Sequence, residues 1–245
     1  MGPVATPDPI VLLHGFAGTG AMWDPVRAGL DGGRSVRTPD LPGHGLHAGA
    51  ATPVTFDACV AHVLAQAPPR FVLGGYSLGG RVALHVALAA PERVTRLVLI
   101  ASTAGLRAQE ARAERRAADD RLADAIERDG LEAFAERWTT QPLFADDPPH
   151  AVAAQRADIA RQTPAGLAAA LRGIGTGAMA SLWDRLGELV LPVTLVVGER
   201  DAKFRAVAAE LEMALPDART VVVPGAGHGL PREAPAAVAA VLGVR

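Results

Sequence analysis

The chain has 245 residues, of which 49% are hydrophobic and 20% charged, with a formal net charge of -2. That length suits one α/β domain with a sizeable core and an inserted subdomain, and the balanced charge argues against a nucleic-acid binder or a polybasic membrane-surface protein. No stretch approaches the uninterrupted apolar length of a membrane span, the N-terminal "MGPVATPDPIVLLHG" lacks the pattern of a signal peptide, and the single cysteine, Cys59, cannot form an intramolecular disulfide. The expectation is a soluble, cytoplasmic protein with Cys59 in a helix core.

Apolar runs rich in β-branched residues recur along the chain: "IVLLHG", "SVRTPD", "FVLGGY", "VTRLVLIAS", and much later "VTLVVGE" and "TVVVPG". Each ends near Gly, Pro or Asp, and helical patterns separate them, which predicts a mostly parallel sheet covered by helices. Between the fourth and fifth runs, residues 105–190 change texture to Ala, Arg, Asp and Glu at helical spacing, broken by "PLFADDPP" and "RQTP". This predicts a helical cap over 105–190, inserted before the last strands of an α/β core made of 1–104 and 191–245. The cap's eleven arginines face fourteen acids, so it is not a basic patch.

The first run leads into "LLHGFAGTG" and the second into "DLPGHG", a Gly/Pro-rich structural turn. The third ends in Gly75-Tyr76-Ser77-Leu78-Gly79, ahead of the helical "RVALHVALAA". A serine between glycines on a strand-to-helix turn is a nucleophile elbow, the mark of the α/β-hydrolase fold. A serine hydroxyl needs an imidazole to take its proton and a carboxylate to orient that imidazole. In such a sheet the order is Ser, acid, His, each following a strand. Asp201 follows "VTLVVGER" and His228 follows "TVVVPGAG". Glu199 is the alternative acid, still close to its strand end, and His150 in the cap the alternative imidazole. Asp201 could instead cap the helix that follows it. The oxyanion hole falls to the backbone N–H groups of Phe16, after the first strand, and Leu78, after the serine. His14 supports that loop.

The segments "GYSLGGRVALHVAL", "RAERRAADDRLADAIERDGLEAFAERWTTQPLF", "GLAAALRGIGTG" and "GERDAKFRAVAAEL" together resemble the 2-succinyl-6-hydroxy-2,4-cyclohexadiene-1-carboxylate synthases of menaquinone biosynthesis. The resemblance spans nearly the whole chain, cap included. It implies a lyase on a hydrolase fold that removes an α-proton from a succinyl-enolpyruvyl-hydroxycyclohexene carboxylate and expels pyruvate, with no metal or organic cofactor. The triad then serves as a base, and the partner is a small substrate with several carboxylates; no nucleic acid or membrane is involved, and the chain is a monomer or homodimer. It further implies substrate contacts at Tyr76, Arg81, Arg116 and Trp138, with Arg115 the alternative to Arg116 one residue away. Two positions depart from the family pattern. Pro231 stands where a second histidine commonly lies, and Ile159 where a further cap arginine is expected, with Arg156 and Arg161 nearby. The competing reading is a carboxylesterase or C–C hydrolase that uses the same serine to form an acyl-enzyme.

Overall fold

The computed structural model describes residues 7–30, 33–49 and 53–244, so the first six residues of the N-terminal stretch lie outside it. The six apolar runs form β1 (Ile10–Leu13), β2 (Val36–Arg37), β3 (Phe71–Tyr76), β4 (Val94–Ile100), β5 (Val193–Gly198) and β6 (Ala218–Val223). They pair in the order β2-β1-β3-β4-β5-β6, every pair parallel. A parallel strand is buried on both faces, which is why β1, β3 and β5 read as unbroken apolar runs. The second run is shorter than its sequence suggests. At the edge, β2 pairs with β1 at two positions only, and Pro39 follows at once.

Strand periodicity separates the core into two layers. Val11 and Leu13 pack with Leu73, Leu97, Leu99 and Leu195 on one face. That face is covered by α2 (Phe56–Gln66), α3 (Leu78–Ala89) and α7 (Ala202–Ala214). Ile10 and Leu12 point the other way, against Trp23, Val72, Val98, Val238 and Leu242. The covering helices there are α1 (Asp24–Ala28) and α9 (Pro235–Gly243). Cys59 is fully buried in the first layer, and burial pushes its thiol up to about 12, as expected of a core residue.

Between β4 and β5 the chain forms α4 (Gln109–Thr139), α5 (Pro149–Ile159) and α6 (Pro164–Ile174). The long α4 is two helical segments joined at Gly130, whose φ of 82° and ψ of 178° interrupt the helix. A residue with a β-carbon would be strained there. Asp119 links α4 to the chain beyond α6 by accepting from the Gly177 N–H at 3.1 Å, and Arg172 on α6 pairs with Asp124 and Glu127 on α4. This insert has a small apolar centre of Ala123, Ile126, Phe134, Ile159, Leu167 and Leu171, packed against Phe16 and Ala17 of the core. Among the described residues no helix is long and apolar enough to cross a membrane.

Candidate active site

Ser77 joins β3 to α3 with φ 52° and ψ -108°. A non-glycine residue held there stores about 1–3 kcal/mol of strain, which the surrounding structure must impose. Two contacts impose it. The Ser77 N–H donates to the Ile100 carbonyl at 2.9 Å, and the Ser102 hydroxyl donates to the Ser77 carbonyl at 2.9 Å. Gly79 makes the turn possible, because a β-carbon there would lie 2.2 Å from the Leu13 carbonyl oxygen. The serine side chain is thereby presented at the carboxyl edge of the sheet, where open parallel sheets place their sites.

The loops after β5 and β6 bring Asp201 and His228 to the same edge. His228 Nδ1 lies 2.7 Å from Asp201 Oδ2, with both residues buried. A carboxylate at that distance favours the tautomer with the proton on Nδ1, leaving Nε2 unprotonated on a ring that lines the same cavity as Ser77. Asp201 also caps a helix. Its Oδ1 accepts from the Phe204 N–H at 3.1 Å, so the two roles weighed from sequence coexist, one on each oxygen. The alternatives do other things. Glu199 accepts from the Gly225 N–H at 2.8 Å and shapes the loop before His228, while His150 Nε2 sits 3.2 Å from the Arg232 carbonyl. The rings of Tyr76, Phe144 and Phe204 surround the imidazole at centroid distances of 5.4, 5.7 and 4.6 Å.

The loop after β1 turns through Gly15 and Gly18, and the N–H groups of Phe16 and Leu78 have no acceptor among the described residues. Both residues line the same cavity as Ser77, which is what donors to an oxyanion require. His14 holds this loop. Its Nε2 accepts from the Leu41 N–H at 2.9 Å, its Nδ1 donates to the Gly15 carbonyl at 2.8 Å, and burial lowers its pKa. The cap grips the loop from above: Gln162 donates to the Gly18 carbonyl at 3.1 Å, and Thr19 donates to Asp158 at 2.8 Å.

The cavity over Ser77 and His228 encloses about 130 Å³. Four cationic side chains line it, Arg81, Arg115, Lys203 and Arg232, and no Asp or Glu does. Arg81 is 7% exposed, and its Nη1 donates to the Ile174 carbonyl at 2.8 Å. No carboxylate pairs with it among the described residues. Burial, with repulsion from Arg115, pushes this guanidinium down to about 10, so it stays charged at neutral pH. Tyr76 and Trp138 also reach the cavity wall, and Trp138 Nε1 is buried there without an acceptor.

Arg116 corrects the sequence reading. It is exposed and absent from the cavity wall, while Arg115, one residue earlier on α4, lines the cavity and pairs with Asp119 at 2.8 Å. One residue is about 100° around a helix, enough to turn a side chain from cavity to solvent. Ile159 is buried in the cap centre, and neither Arg156 nor Arg161 enters the wall. The cations that sequence reasoning missed are Lys203, two residues after Asp201, and Arg232, four after His228. Their nearness to the triad in the chain was the available signal. Arg232 is buried, and its Nη2 donates to Asp158 Oδ2 at 2.6 Å.

Comparison with known proteins agrees with this geometry. Residues 10–241 match the alpha/beta hydrolase family. The chain is 37% identical to the 2-succinyl-6-hydroxy-2,4-cyclohexadiene-1-carboxylate synthase of Salmonella schwarzengrund, over 94% of this chain and 90% of that protein. Among solved structures it is similar to MenH from S. aureus, with a TM-score of 0.90, 29% identity and coverage of 98% and 93% of the two chains. It is also similar to a thermophilic esterase from Thermogutta terrifontis, with a TM-score of 0.80, 28% identity and coverage of 98% and 89%.

Proposed function

Because the chain belongs to the alpha/beta hydrolase family and, within it, to the 2-succinyl-6-hydroxy-2,4-cyclohexadiene-1-carboxylate synthases, we propose that Ser77, His228 and Asp201 act here as a proton-transfer relay in place of an acylating nucleophile. The enzyme is a lyase of menaquinone biosynthesis on a hydrolase fold. It eliminates pyruvate from 2-succinyl-5-enolpyruvyl-6-hydroxy-3-cyclohexene-1-carboxylate. Ser77, deprotonated by His228 Nε2, removes the α-proton beside the succinyl ketone. The ketone oxygen gains the negative charge and is met by the N–H groups of Phe16 and Leu78. The electron pair then breaks the C–O bond to the enolpyruvyl group, which leaves and is protonated to pyruvate.

The observation that carries this reading is the charge of the wall. Four cations line the wall around the triad; Arg115 and Arg232 are paired with Asp119 and Asp158 behind it, whereas Arg81 is buried with no carboxylate in ion-pair contact among the described residues, which suits it to meet a carboxylate of the ligand. A neutral short-chain ester uses none of them. Pyruvate release from enzymatically generated substrate, followed with Ser77→Ala as control and an activated ester in parallel, tests the proposal. Fast, Ser77-dependent pyruvate release with feeble ester cleavage is expected. Ester turnover without pyruvate would move the protein to the hydrolases.

A further inference from the structure

His228 stands between two glycines, and one side chain governs the loop that carries it. Glu233, on the short helix α8 (Leu230–Glu233), has a side chain 4% exposed. Its Oε2 accepts from the Gly227 N–H at 2.9 Å and from Arg200 Nη2 at 2.6 Å. Arg200 Nε also donates to the Gly225 carbonyl at 2.9 Å. The residues before His228 are thus tied to Glu233 both directly and through Arg200. The other oxygen, Oε1, is buried and receives no donor among the described groups as placed.

Across Gly229 stands Asp147, from the cap loop between α4 and α5. The point where a β-carbon of Gly229 would sit is 3.2 Å from Glu233 Oε1 and 2.8 Å from Asp147 Oδ2. Two carboxyl groups brought to one point, one of them buried, disfavour each other's ionisation. The Gly227 N–H and Arg200 both donate to Glu233 Oε2, so a proton on Asp147 supplies the donor that Oε1 lacks. We propose that Glu233 is the positioning residue of the His228 loop and that Asp147 latches the cap to it through a proton shared between their carboxyl groups.

The surroundings support this division. Burial, then the charge of Glu233, pushes the Asp147 carboxyl up to about 7, against the pull of Arg232 and Arg200. Other charged or titratable groups face this seam. Asp146 lies 3.6 Å from Arg200, His150 meets the Arg232 carbonyl, Asp158 holds Arg232, and Asp201, Lys203 and His228 line the cleft beside Asp147. Tyr76 senses Asp147 from the cavity floor. A carboxyl raised in the closed state binds its proton there between about pH 4 and about pH 7, when the open state has lost it. The latch is therefore complete at the acid end of that window and gone once pH has risen through about 7.

The inference rests on His228 being catalytic but not on the identity of the substrate, so the free protein tests it first. Asp147→Asn keeps a donor at every pH. Backbone hydrogen exchange over residues 140–150 should match in wild type and Asp147→Asn at about pH 5.5, and be several-fold faster in wild type at about pH 8.5. Equal exchange in the two proteins at the higher pH would overturn the shared proton. In turnover, KM should climb roughly fivefold with pH in wild type and stay flat in Asp147→Asn, because the variant's latch does not titrate. Glu233→Ala should lower kcat about tenfold at every pH and, because the latch loses its acceptor, hold KM at the raised high-pH value throughout; Glu233→Gln, which keeps an acceptor for Gly227, should recover part of kcat. An unchanged kcat in folded Glu233→Ala would overturn the positioning role. Because Asp147 is half-exposed, Asp147→Asn leaves folding intact and the exchange comparison stands whichever substrate is correct.

Discussion

The carboxyl edge of the sheet and the helical insert above it close on one cavity from opposite sides, and they are held together by different forces. The elbow at Ser77 is fixed by hydrogen bonds of its own backbone to Ile100 and Ser102 and by a glycine with no room for a β-carbon, at the ends of the buried strands β1 and β3. The insert has a small apolar centre and is joined to the core by side-chain pairs such as Arg232–Asp158, Thr19–Asp158 and Arg200–Asp146. Backbone geometry cannot be exchanged without losing the fold, whereas side-chain pairs can be rewritten one at a time. The lesson is that reaction type lives on the sheet edge, while substrate charge is read by side chains that different members of a fold family can place on different elements.

Breaking the sheet-edge side should have the largest effect. Ser77→Ala should lower pyruvate release by at least about a thousandfold while ligand affinity, measured calorimetrically, stays close to wild type. A comparable rate in the variant would remove the activated serine from the mechanism. Next comes Gly79→Ala, whose β-carbon meets the Leu13 carbonyl oxygen at 2.2 Å, so helix α3 must move off the sheet. Loss of about 3 kcal/mol or more in denaturant unfolding is expected. Its counterpart in the insert, Gly130→Ala, meets no atom within 4 Å and suffers only backbone strain, so a smaller loss of about 1–3 kcal/mol is expected. Similar losses at the two glycines would erase the contrast between rigid edge and adaptable insert.

The cations sharpen the same contrast. Arg81→Ala, on the core, should cost about a hundredfold in kcat/KM for the polyanionic substrate and far less for a neutral activated ester, because a buried charge pair is lost only with the former. Equal losses on both would make Arg81 structural. In the insert, Arg115→Ala should raise KM about tenfold, whereas Arg116→Ala should change neither constant by more than about twofold, the smallest effect in the series. The reverse ranking would mean that α4 turns to bring the other arginine inward when substrate binds.

The same division explains what could be read from the chain alone. Buried parallel strands appear as continuous apolar runs, which made β1, β3 and β5 visible, and the two-residue edge strand β2 was overextended because Pro39 stops its pairing soon after Arg37. The elbow was legible because glycine spacing reflects a backbone that tolerates no alternative. Arg115 was less so: its distinction from Arg116 depends on helix phase, and α4 carries too little apolar pattern to set that phase from sequence. Arg232 and Lys203 were harder still. Their nearness to Asp201 and His228 in the chain was a signal, but it does not say that α7 and α8, after two different strands, bring them to one cavity.

The claim on which these arguments depend is that Ser77 takes a proton and is not acylated. Single-turnover pyruvate release from substrate deuterated at the abstracted α-position, with intact mass of the quenched enzyme read in parallel, addresses it most directly. Release that is several-fold slower with deuterium, and no added mass on Ser77 at any time, is the predicted result. Release indifferent to deuterium, accompanied by a transient adduct on Ser77, would contradict it and return the protein to acyl-enzyme chemistry.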